Sequence, residues 1–221
     1  MGLISDARNI LNKDPAATSL VQVMLLYPGF HILVYHKAAH WLHRHRRFFL
    51  ARMISQWGRG FTQIEIHPGA QLGQHLFIDH GAGLVIGETA VVGNNVTLYH
   101  GVTLGGTGKG TAKRHPTIED DVLVGAGAKI LGPVVVGRGS RIGANSTVLM
   151  DIPPDSTATG SPAIVVRQKG EKSVPSEDLD HRRFSNVLED RIAALEKKLA
   201  RAEKRERERA KAEAEPKQPR P

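Results

Sequence analysis

Aliphatic residues recur at every sixth position through the middle of the chain, and a small or apolar residue often stands four places after each of them. A period of six fits neither an α-helix nor an alternating strand. It is typical of a solenoid, because a strand with so few inward-facing residues is buried only when it stacks on its neighbours. Three hexapeptides make one triangular coil, and successive coils lie about 4.8 Å apart. The repeating positions are Ile66, Leu72, Ile78, Leu84, Ile86, Val92, Leu98, Leu104, Ile118, Val124, Ile130, Val136, Ile142 and Val148.

The six-residue phase is lost at two places. A two-residue slip separates Leu84 from Ile86, and a longer interruption separates Leu104 from Ile118. The longer interruption is rich in glycine, lysine and arginine, so residues 105–117 are predicted to leave the solenoid as a protruding loop. Loops held on a rigid scaffold commonly carry function.

The regions on either side of the solenoid, which we assign to residues 64–166, differ from it. Residues 1–63 are predicted to be α-helical, with a helix starting at Asp14-Pro15 and a break at Pro28-Gly29. Residues 167–221 form a charged C-terminal tail. A short coiled coil over 187–210 and a disordered tail are the two alternatives for it. The apolar seam that favours the coiled coil consists of Leu188, Ile192, Leu195 and Leu199.

The charge changes this picture only slightly. The formal net charge is +8, but residues 1–166 carry +4 and the 55-residue tail carries the other +4. Aromatic residues make up only 5% of the chain, so a nucleic-acid partner is not expected. Cysteine is absent, which excludes disulfides, thiolate metal sites and a cysteine nucleophile, and fits a cytoplasmic protein. No apolar run is long enough for a membrane span.

The chemistry is expected to centre on histidines of the solenoid. His80 stands two residues after Ile78, and His100 holds the corresponding place one coil later. Glu65 precedes the first coil and Asp79 adjoins His80. A carboxylate bound to one imidazole nitrogen fixes the tautomer and supports the other nitrogen as a base, which suits activation of a substrate hydroxyl.

Several motifs together are more specific than the repeat. They closely resemble the serine O-acetyltransferase family, within the hexapeptide-repeat acyltransferases, over about residues 12–166. The matching segments are Lys13-Asp-Pro-Ala16, Tyr27-Pro-Gly-Phe-His31, Glu65-Ile-His-Pro-Gly-Ala70, Ile78-Asp-His-Gly-Ala-Gly83, Ile86-Gly-Glu-Thr-Ala90, Val102-Thr-Leu-Gly-Gly-Thr-Gly-Lys109, Lys113-Arg-His-Pro-Thr117 and Gly160-Ser-Pro-Ala163.

The resemblance implies a left-handed parallel β-helix after an α-helical region. It also implies a homotrimer, or a dimer of trimers, with active sites between neighbouring β-helices. The implied reaction transfers the acetyl group of acetyl-CoA to the hydroxyl of L-serine, the first step of cysteine biosynthesis. Transfer is direct, and acetyl-CoA is a co-substrate; no permanently bound cofactor and no metal are implied.

The resemblance also assigns residues to the two substrates. His80 matches the general base, and Glu65 matches the acid that orients it, which is Asp in the longer enzymes. Asp14 and Asp79 match the residues that hold the substrate amino group. Arg114 and His115 match those that hold its carboxylate, and His115 is also expected to assist at the oxyanion. The residues expected to contact acetyl-CoA are Gly105, Gly106, Thr107, Lys109, Ala126, Arg141 and Ala144.

Two family traits concern partners. L-cysteine is a feedback inhibitor in the family, and we carry this over as an expectation. Family members often end in an isoleucine that enters the active site of O-acetylserine sulfhydrylase. This chain ends in Pro221, so that complex is not expected.

Three alternatives stay open at the level of sequence. A hexapeptide acetyltransferase for another hydroxyl, such as homoserine or a sugar, would share the repeat. A γ-type carbonic anhydrase uses the same β-helix with three histidines, and His75, His80 and His100 form a superficial set. The third alternative is that the charged tail binds nucleic acid or a partner coil, a role that is compatible with catalysis.

Overall fold

The structure, a computed structural model, describes residues 2–108, 110, 112–169, 171–172, 192, 195–199 and 201 of the 221-residue chain. It comprises two compact units, Met1–Pro175 and Ser176–Pro221. In the second unit, residues 192, 195–199 and 201 are helical, and the side chains of Ile192, Leu195 and Leu199 are exposed. The remainder of the coiled coil predicted over 187–210 lies outside the described residues.

Four helices precede the solenoid, namely α1 (Leu3–Lys13), α2 (Leu20–Leu26), α3 (Pro28–Arg44) and α4 (Phe48–Thr62). The helix start predicted at Asp14-Pro15 is wrong, because Asp14 ends α1 and α2 begins six residues later. The Ser19 hydroxyl caps α2 by accepting the backbone N–H of Gln22 at 3.2 Å. Pro28 opens α3, where its missing N–H costs no helical hydrogen bond.

The solenoid has three parallel sheets that form the faces of a triangular prism, as predicted. The first sheet contains β1 (Glu65–Ile66), β4 (Val85–Ile86), β7 (Thr103–Gly105), β10 (Lys129–Leu131) and β13 (Thr147–Val148). The second contains β2 (Gln71–Leu72), β5 (Val91–Val92), β8 (Thr117–Ile118) and β11 (Val135–Val136). The third contains β3 (Phe77–Asp79), β6 (Thr97–Tyr99), β9 (Leu123–Val124), β12 (Arg141–Ile142), β14 (Ser156–Gly160), β15 (Ala163–Gln168) and β16 (Glu171–Lys172). The last two strands pair antiparallel and end the coil.

The repeating aliphatic residues fill the prism. Thirteen of the fourteen are buried, and Leu72 is partly buried against the same cluster. Each strand is only two or three residues long in the coils, so its stability comes from the ladder above and below it. Burial of each such side chain contributes about 1.5–3 kcal/mol.

Two corners of the prism concern function. The histidine corner joins the third sheet to the first and contains residues 79–84, 100–102, 125–128 and 143–146. The loop corner joins the first sheet to the second and contains residues 87–90 and 105–116. The interruption predicted from the lost phase lies at the loop corner, between β7 and β8.

The N-terminal helices pack on the first coils. Phe77 of β3 joins a small apolar cluster with Ala7, Ile10, Val23 and Phe30 of the helices. Lys13 extends this contact, because its Nζ donates to the carbonyl oxygen of Asn95 at 3.2 Å. Through these contacts the end of α1 packs against β3, where Phe77 stands two residues before Asp79. None of the helices in the described part of the chain is long and apolar enough to cross a membrane.

Candidate active site

His80 projects from the histidine corner directly after β3. Its side chain is 85% exposed, and its Nε2 lies 3.7 Å from Oδ1 of Asp79. The backbone of His80 has φ of 49°, in the left-handed region that residues with a side chain seldom adopt. Such a conformation persists only when the surrounding structure enforces it, and it is concentrated at functional sites. His100 follows β6 at the equivalent place, since Asp79 pairs with Tyr99 in the parallel register.

Asp14 reaches the same corner from the end of α1. Its Oδ1 accepts the backbone N–H of Ala16 at 2.8 Å, and its Oδ2 accepts the Tyr27 hydroxyl at 2.8 Å. Burial raises the pKa of Tyr27, and the hydrogen bond to Asp14 and the negative charges of Asp14 and Asp79 raise it further. Both carboxylates predicted to hold an amino group therefore act on one tyrosine hydroxyl.

Glu65 also lies beside the histidine corner, since its backbone N–H donates to the Leu84 carbonyl at 2.9 Å. Its carboxylate is bound by two arginines of α4, Arg52 at 2.9 Å and Arg59 at 3.2 Å. Among the described residues, Asp79 is the acid that lies within 4.0 Å of the His80 ring. The orienting role of Glu65 toward His80 stays a prediction.

Arg114 and His115 lie at the loop corner, next to residues 87–90. The Arg114 guanidinium donates through Nη2 to Oε2 of Glu88 at 2.8 Å. The Nδ1 atom of His115 accepts the backbone N–H of Thr89 at 3.1 Å, and the Thr89 hydroxyl lies 2.9 Å from the same nitrogen. Lys113 fixes the segment, since its Nζ donates to the Thr89 carbonyl at 2.7 Å.

The His115 ring is buried, with 7% of the residue exposed. Burial lowers its pKa, and the positive charge of Arg114 lowers it further, while Glu88 acts in the opposite direction. A Cβ atom on Gly87 would overlap the His115 ring, and one on Gly106 would come within 2.9 Å of its Nε2. Glycine at these two positions leaves the space that the ring occupies.

The two corners stand one face of the prism apart. His80 comes before the first sheet and His115 after it, so a full face of the solenoid separates them. With about 3.3 Å per residue this separation is roughly 15–20 Å, far more than the length of an amino acid. A single chain therefore presents the predicted serine-site residues in two separate groups: Asp14, Asp79 and His80 at one corner, and Arg114 and His115 at the other.

The residues predicted for the acyl donor divide in the same way. Gly105, Gly106 and Thr107 lie at the loop corner, and the Thr107 N–H donates to the Arg114 carbonyl at 3.2 Å. Ala126 and Ala144 lie at the histidine corner, one coil apart. Arg141 opens β12 on the third face, where its side chain is exposed. Lys109 lies outside the described residues.

Comparisons with known proteins identify the family of the chain. The family model described as bacterial transferase hexapeptide (six repeats) matches residues 115–149. The serine acetyltransferase of Bacillus licheniformis is 52% identical over 197 residues, covering 89% of this chain and 90% of that relative. The chain belongs to the serine acetyltransferase family. The serine acetyltransferase of Helicobacter pylori is 58% identical over 154 residues, or 70% of this chain and 90% of that relative.

Solved structures of serine acetyltransferases share the fold. The Neisseria gonorrhoeae enzyme in complex with serine has a TM-score of 0.72 and 41% identity, with 75% of this chain and 67% of that chain covered. The Brucella abortus enzyme in complex with coenzyme A has a TM-score of 0.73 and 44% identity, with 77% and 68% covered. The resemblance stated from the motifs and the predicted β-helix are both confirmed.

A pocket lies elsewhere, between α1, α3 and the first coil. It has a volume of about 470 Å³ and contains none of the predicted serine acetyltransferase site residues. Its lining consists of Asp6, Leu33, His36, Lys37, His40, Trp41, Arg44, His45, Leu72, Gly73 and Leu76. Within the described ranges, no three histidine, aspartate or glutamate side chains are grouped so that they could hold a metal ion.

Sequence reasoning missed four kinds of contact at the two corners. Tyr27 and Thr89 stand inside motifs that carry the family resemblance. The motifs therefore mark both residues, but they do not show which side chains the two residues contact. Glu88 adjoins Thr89 in the same motif. Arg52 and Arg59 lie in α4, and nothing in the sequence pairs them with Glu65.

Proposed function

We infer that this protein catalyses the reaction of its family, in which the acetyl group of acetyl-CoA is transferred to the hydroxyl of L-serine. The products are O-acetyl-L-serine and CoA, and the reaction is the first step of cysteine biosynthesis. The enzyme is an acyltransferase, and acetyl-CoA serves as a co-substrate. The observation that carries this conclusion is the 52% identity to a serine acetyltransferase across 89% of the chain, together with the motif residues at the two corners.

His80 is the general base in this proposal. Its exposed ring takes the proton from the serine hydroxyl, the alkoxide oxygen attacks the thioester carbonyl carbon, and a tetrahedral intermediate forms. The carbon–sulfur bond then breaks, and the proton returns from His80 to the CoA sulfur. The chain contains no cysteine that could carry the acetyl group as a thioester, which supports direct transfer.

Opposite charges at the two corners suit a zwitterionic amino acid. Asp14 and Asp79 hold the substrate ammonium group beside His80. Arg114 binds the carboxylate through its guanidinium fork, as arginine does wherever a carboxylate is recognised. The His115 ring donates a hydrogen bond to a carboxylate oxygen and assists the oxyanion of the intermediate.

Both substrates need a second copy of the chain. The roughly 15–20 Å between the corners is too far for one serine molecule to touch both. We therefore propose a homotrimer in which the histidine corner of one protomer faces the loop corner of the next. The division of the predicted acetyl-CoA residues between the same two corners supports this arrangement. A threefold ring gives three equal sites, each shared by two chains.

A mixed-trimer experiment tests this shared site. His80→Ala inactivates the histidine corner, and the double variant Arg114→Ala, His115→Ala inactivates the loop corner. When equal amounts of the two variants are refolded together, three quarters of the trimers are mixed and each regains one of its three sites. About a quarter of the wild-type rate of CoA release is expected. No gain over the separate variants, or a monomeric mass by light scattering, would contradict the proposal.

The substrate is tested by CoA release with L-serine, L-homoserine and a galactoside as acceptors. Turnover is expected to be highest with L-serine. The galactoside lacks the ammonium and carboxylate groups that the charged residues of the two corners would bind, and the extra methylene of L-homoserine moves its hydroxyl relative to His80. Faster turnover with L-homoserine or the galactoside would show that serine is not the acceptor.

We also propose that L-cysteine competes with serine, because it keeps both charged groups and differs only by sulfur in place of the hydroxyl oxygen. A cytoplasmic location is proposed on the absence of cysteine.

A further inference from the structure

Thr89 is at the centre of the hydrogen bonds of the loop corner. It stands between β4 and β5, three residues after Ile86. Its hydroxyl oxygen accepts the backbone N–H groups of Arg114 and His115, each at 3.1 Å. The same oxygen lies 2.9 Å from Nδ1 of His115, and the Thr89 backbone N–H donates to that nitrogen at 3.1 Å. One threonine thus contacts the backbone of both predicted carboxylate-binding residues and the ring of one.

These contacts determine where the protons lie. Because a backbone N–H donates to Nδ1, that nitrogen carries a lone pair and no proton. The Thr89 oxygen already accepts two N–H groups, so its own hydroxyl proton is directed at Nδ1 as well. The neutral ring of His115 therefore bears its proton on Nε2.

The Nε2 proton of His115 is free for a ligand. Nε2 makes no hydrogen bond to any residue that the structure describes, and Gly87 and Gly106 place no side chain against it, where a Cβ atom would come within 2.1 and 2.9 Å. The lowered pKa of the buried ring agrees with a neutral imidazole that donates from one nitrogen only. A single donor with a fixed direction is what recognition of an anionic oxygen requires.

We propose that Thr89 is a positioning residue that locks His115 in the Nε2–H tautomer and aims this proton at an anionic oxygen of the bound reactants. The inference rests on the proposed function, which assigns His115 to the serine site. It adds that the donor strength of His115 depends on a residue 26 positions away in the sequence, which itself does not touch the substrate.

The loop has a second anchor, so the role of the hydroxyl can be separated from folding. The Lys113 ammonium group bridges the carbonyl oxygens of Thr89 and Pro116, at 2.7 and 3.2 Å. These bonds use the Thr89 backbone and do not need its side chain. Thr89→Val keeps the shape and the backbone N–H while it removes the hydroxyl, and Thr89→Ser restores the hydroxyl.

The direct test reads the tautomer without any substrate. Protein with isotope-labelled histidine is examined by long-range proton–nitrogen correlation spectra, and the His115 signal is assigned by its loss in His115→Asn. In the wild type, Nδ1 is expected to give a lone-pair nitrogen signal and Nε2 a protonated one. In Thr89→Val only one of the two hydrogen bonds to Nδ1 remains, the one from the backbone N–H, so the Nε2–H tautomer is less strongly favoured and the two signals shift toward those of a tautomer mixture. A wild-type spectrum with the proton on Nδ1 would overturn the proposal.

Kinetics then test the consequence. Thr89→Val is expected to lower kcat/KM for the acceptor by about 10-fold to 100-fold, the size of loss seen when the partners that orient metal-bound histidines are removed. Thr89→Ser should recover most of that loss. The control is Thr147→Val in β13, which also removes a hydroxyl contact, the 2.9 Å contact to Ser161, and should leave the rate unchanged.

The two proposals fail in different ways. If the acceptor is not serine, the acceptor comparison fails while the tautomer spectrum of His115 stands. If Thr89→Val shifts the tautomer and leaves kcat/KM unchanged, the positioning role of Thr89 is overturned while serine acetylation stands. Equal losses in Thr89→Val and Thr89→Ser would also overturn it, since the hydroxyl would then be irrelevant.

Discussion

The two corners of the solenoid hold their histidines in opposite ways. The His80 side chain is 85% exposed and stands on a strained backbone, whereas His115 is 7% exposed and its ring is fixed by Thr89. The difference matches the work proposed for each ring. A base that takes and returns a proton needs access to the hydroxyl and the sulfur, whereas a donor to an oxyanion needs one direction and one tautomer. In the proposed mechanism, exposure at the histidine corner serves proton transfer and rigidity at the loop corner serves hydrogen-bond donation.

The supports of the two corners also differ. The histidine corner depends on the N-terminal helices, because Asp14 and Tyr27 come from α1 and the turn before α3. In the described part of the chain, the side-chain hydrogen bonds that hold the loop corner come from the solenoid and its insertion, through Glu88, Thr89 and Lys113. Damage to the helices should therefore weaken the histidine corner first.

The largest expected effect is at the exposed base. His80→Ala should lower kcat by about 1,000-fold, within the range of general-base catalysis, while the oligomer persists. The matched control is His100→Ala, which removes the histidine at the same position one coil later. Rates of CoA release and the mass by light scattering check both variants. Near wild-type turnover in His80→Ala would eliminate the general-base role.

The next effect concerns the cation of the loop corner. Arg114→Lys keeps the positive charge but lacks the planar guanidinium, which can donate to Glu88 and to the substrate carboxylate at the same time. KM for serine should therefore rise about 10-fold or more. KM for acetyl-CoA should stay the same. Arg138→Lys is the control. Arg138 is paired with Asp120 at 3.0 Å, and this pair lies away from both corners. A rise in KM for acetyl-CoA alone would contradict carboxylate binding by Arg114.

A smaller effect is expected where the helices meet the histidine corner. Tyr27→Phe removes the hydrogen bond that orients Asp14, at a cost of about 1 kcal/mol. KM for serine should rise about threefold to tenfold with little change in kcat. Tyr35→Phe serves as control, because the structure gives no hydrogen bond for the Tyr35 hydroxyl among the described residues. Unchanged KM in Tyr27→Phe would show that Asp14 needs no orientation from Tyr27.

The smallest effect on activity, and a distinct one on stability, is expected in α3. His36 of α3 is buried, and desolvation lowers its pKa from 6.5 to about 3. Between these pH values His36 binds a proton in the unfolded chain but stays neutral in the folded chain. The free energy of unfolding therefore falls as the pH falls through this window. The slope is roughly 1 kcal/mol per pH unit.

Urea midpoints measured from pH 7 down to about pH 4 check this dependence, since the free energy of unfolding follows proton uptake. His36→Gln should flatten the slope, while His31→Gln, which changes a partly exposed histidine of the same helix, should keep it. Equal slopes in all three proteins would exclude His36 as the source.

Much of the fold was predictable because its signal is local and periodic. A ladder of aliphatic residues at every sixth position has one good structural solution, and the slip at Leu84 and the interruption after Leu104 follow from the same count. The helix start at Asp14 was wrong for a reason that the local pattern hides. The Asp14 carboxylate is bonded to the hydroxyl of Tyr27, 13 residues later, and it caps no helix that begins there.

The candidate site was predictable as a set of residues and only partly as an arrangement. The pairing of Thr89 with His115 joins residues 26 apart, and Glu65 joins Arg52 across 13. Neither separation is a period of any regular element, so nothing in the sequence pattern connects them. The sequence shows that residues 87 and 106 are glycines, but it does not show that the His115 ring packs against them.

The sequence by itself determined the solenoid, the loop that interrupts it and the family to which the chain belongs, because each of these is written in short motifs or a constant period. Only the tertiary structure decided at which corner each functional side chain lies. The chain turns through one face of the prism every six residues, so residues close in sequence point to different edges while distant ones share an edge. That geometry separates His80 from His115 by a full face and places Thr89 beside Arg114 and His115.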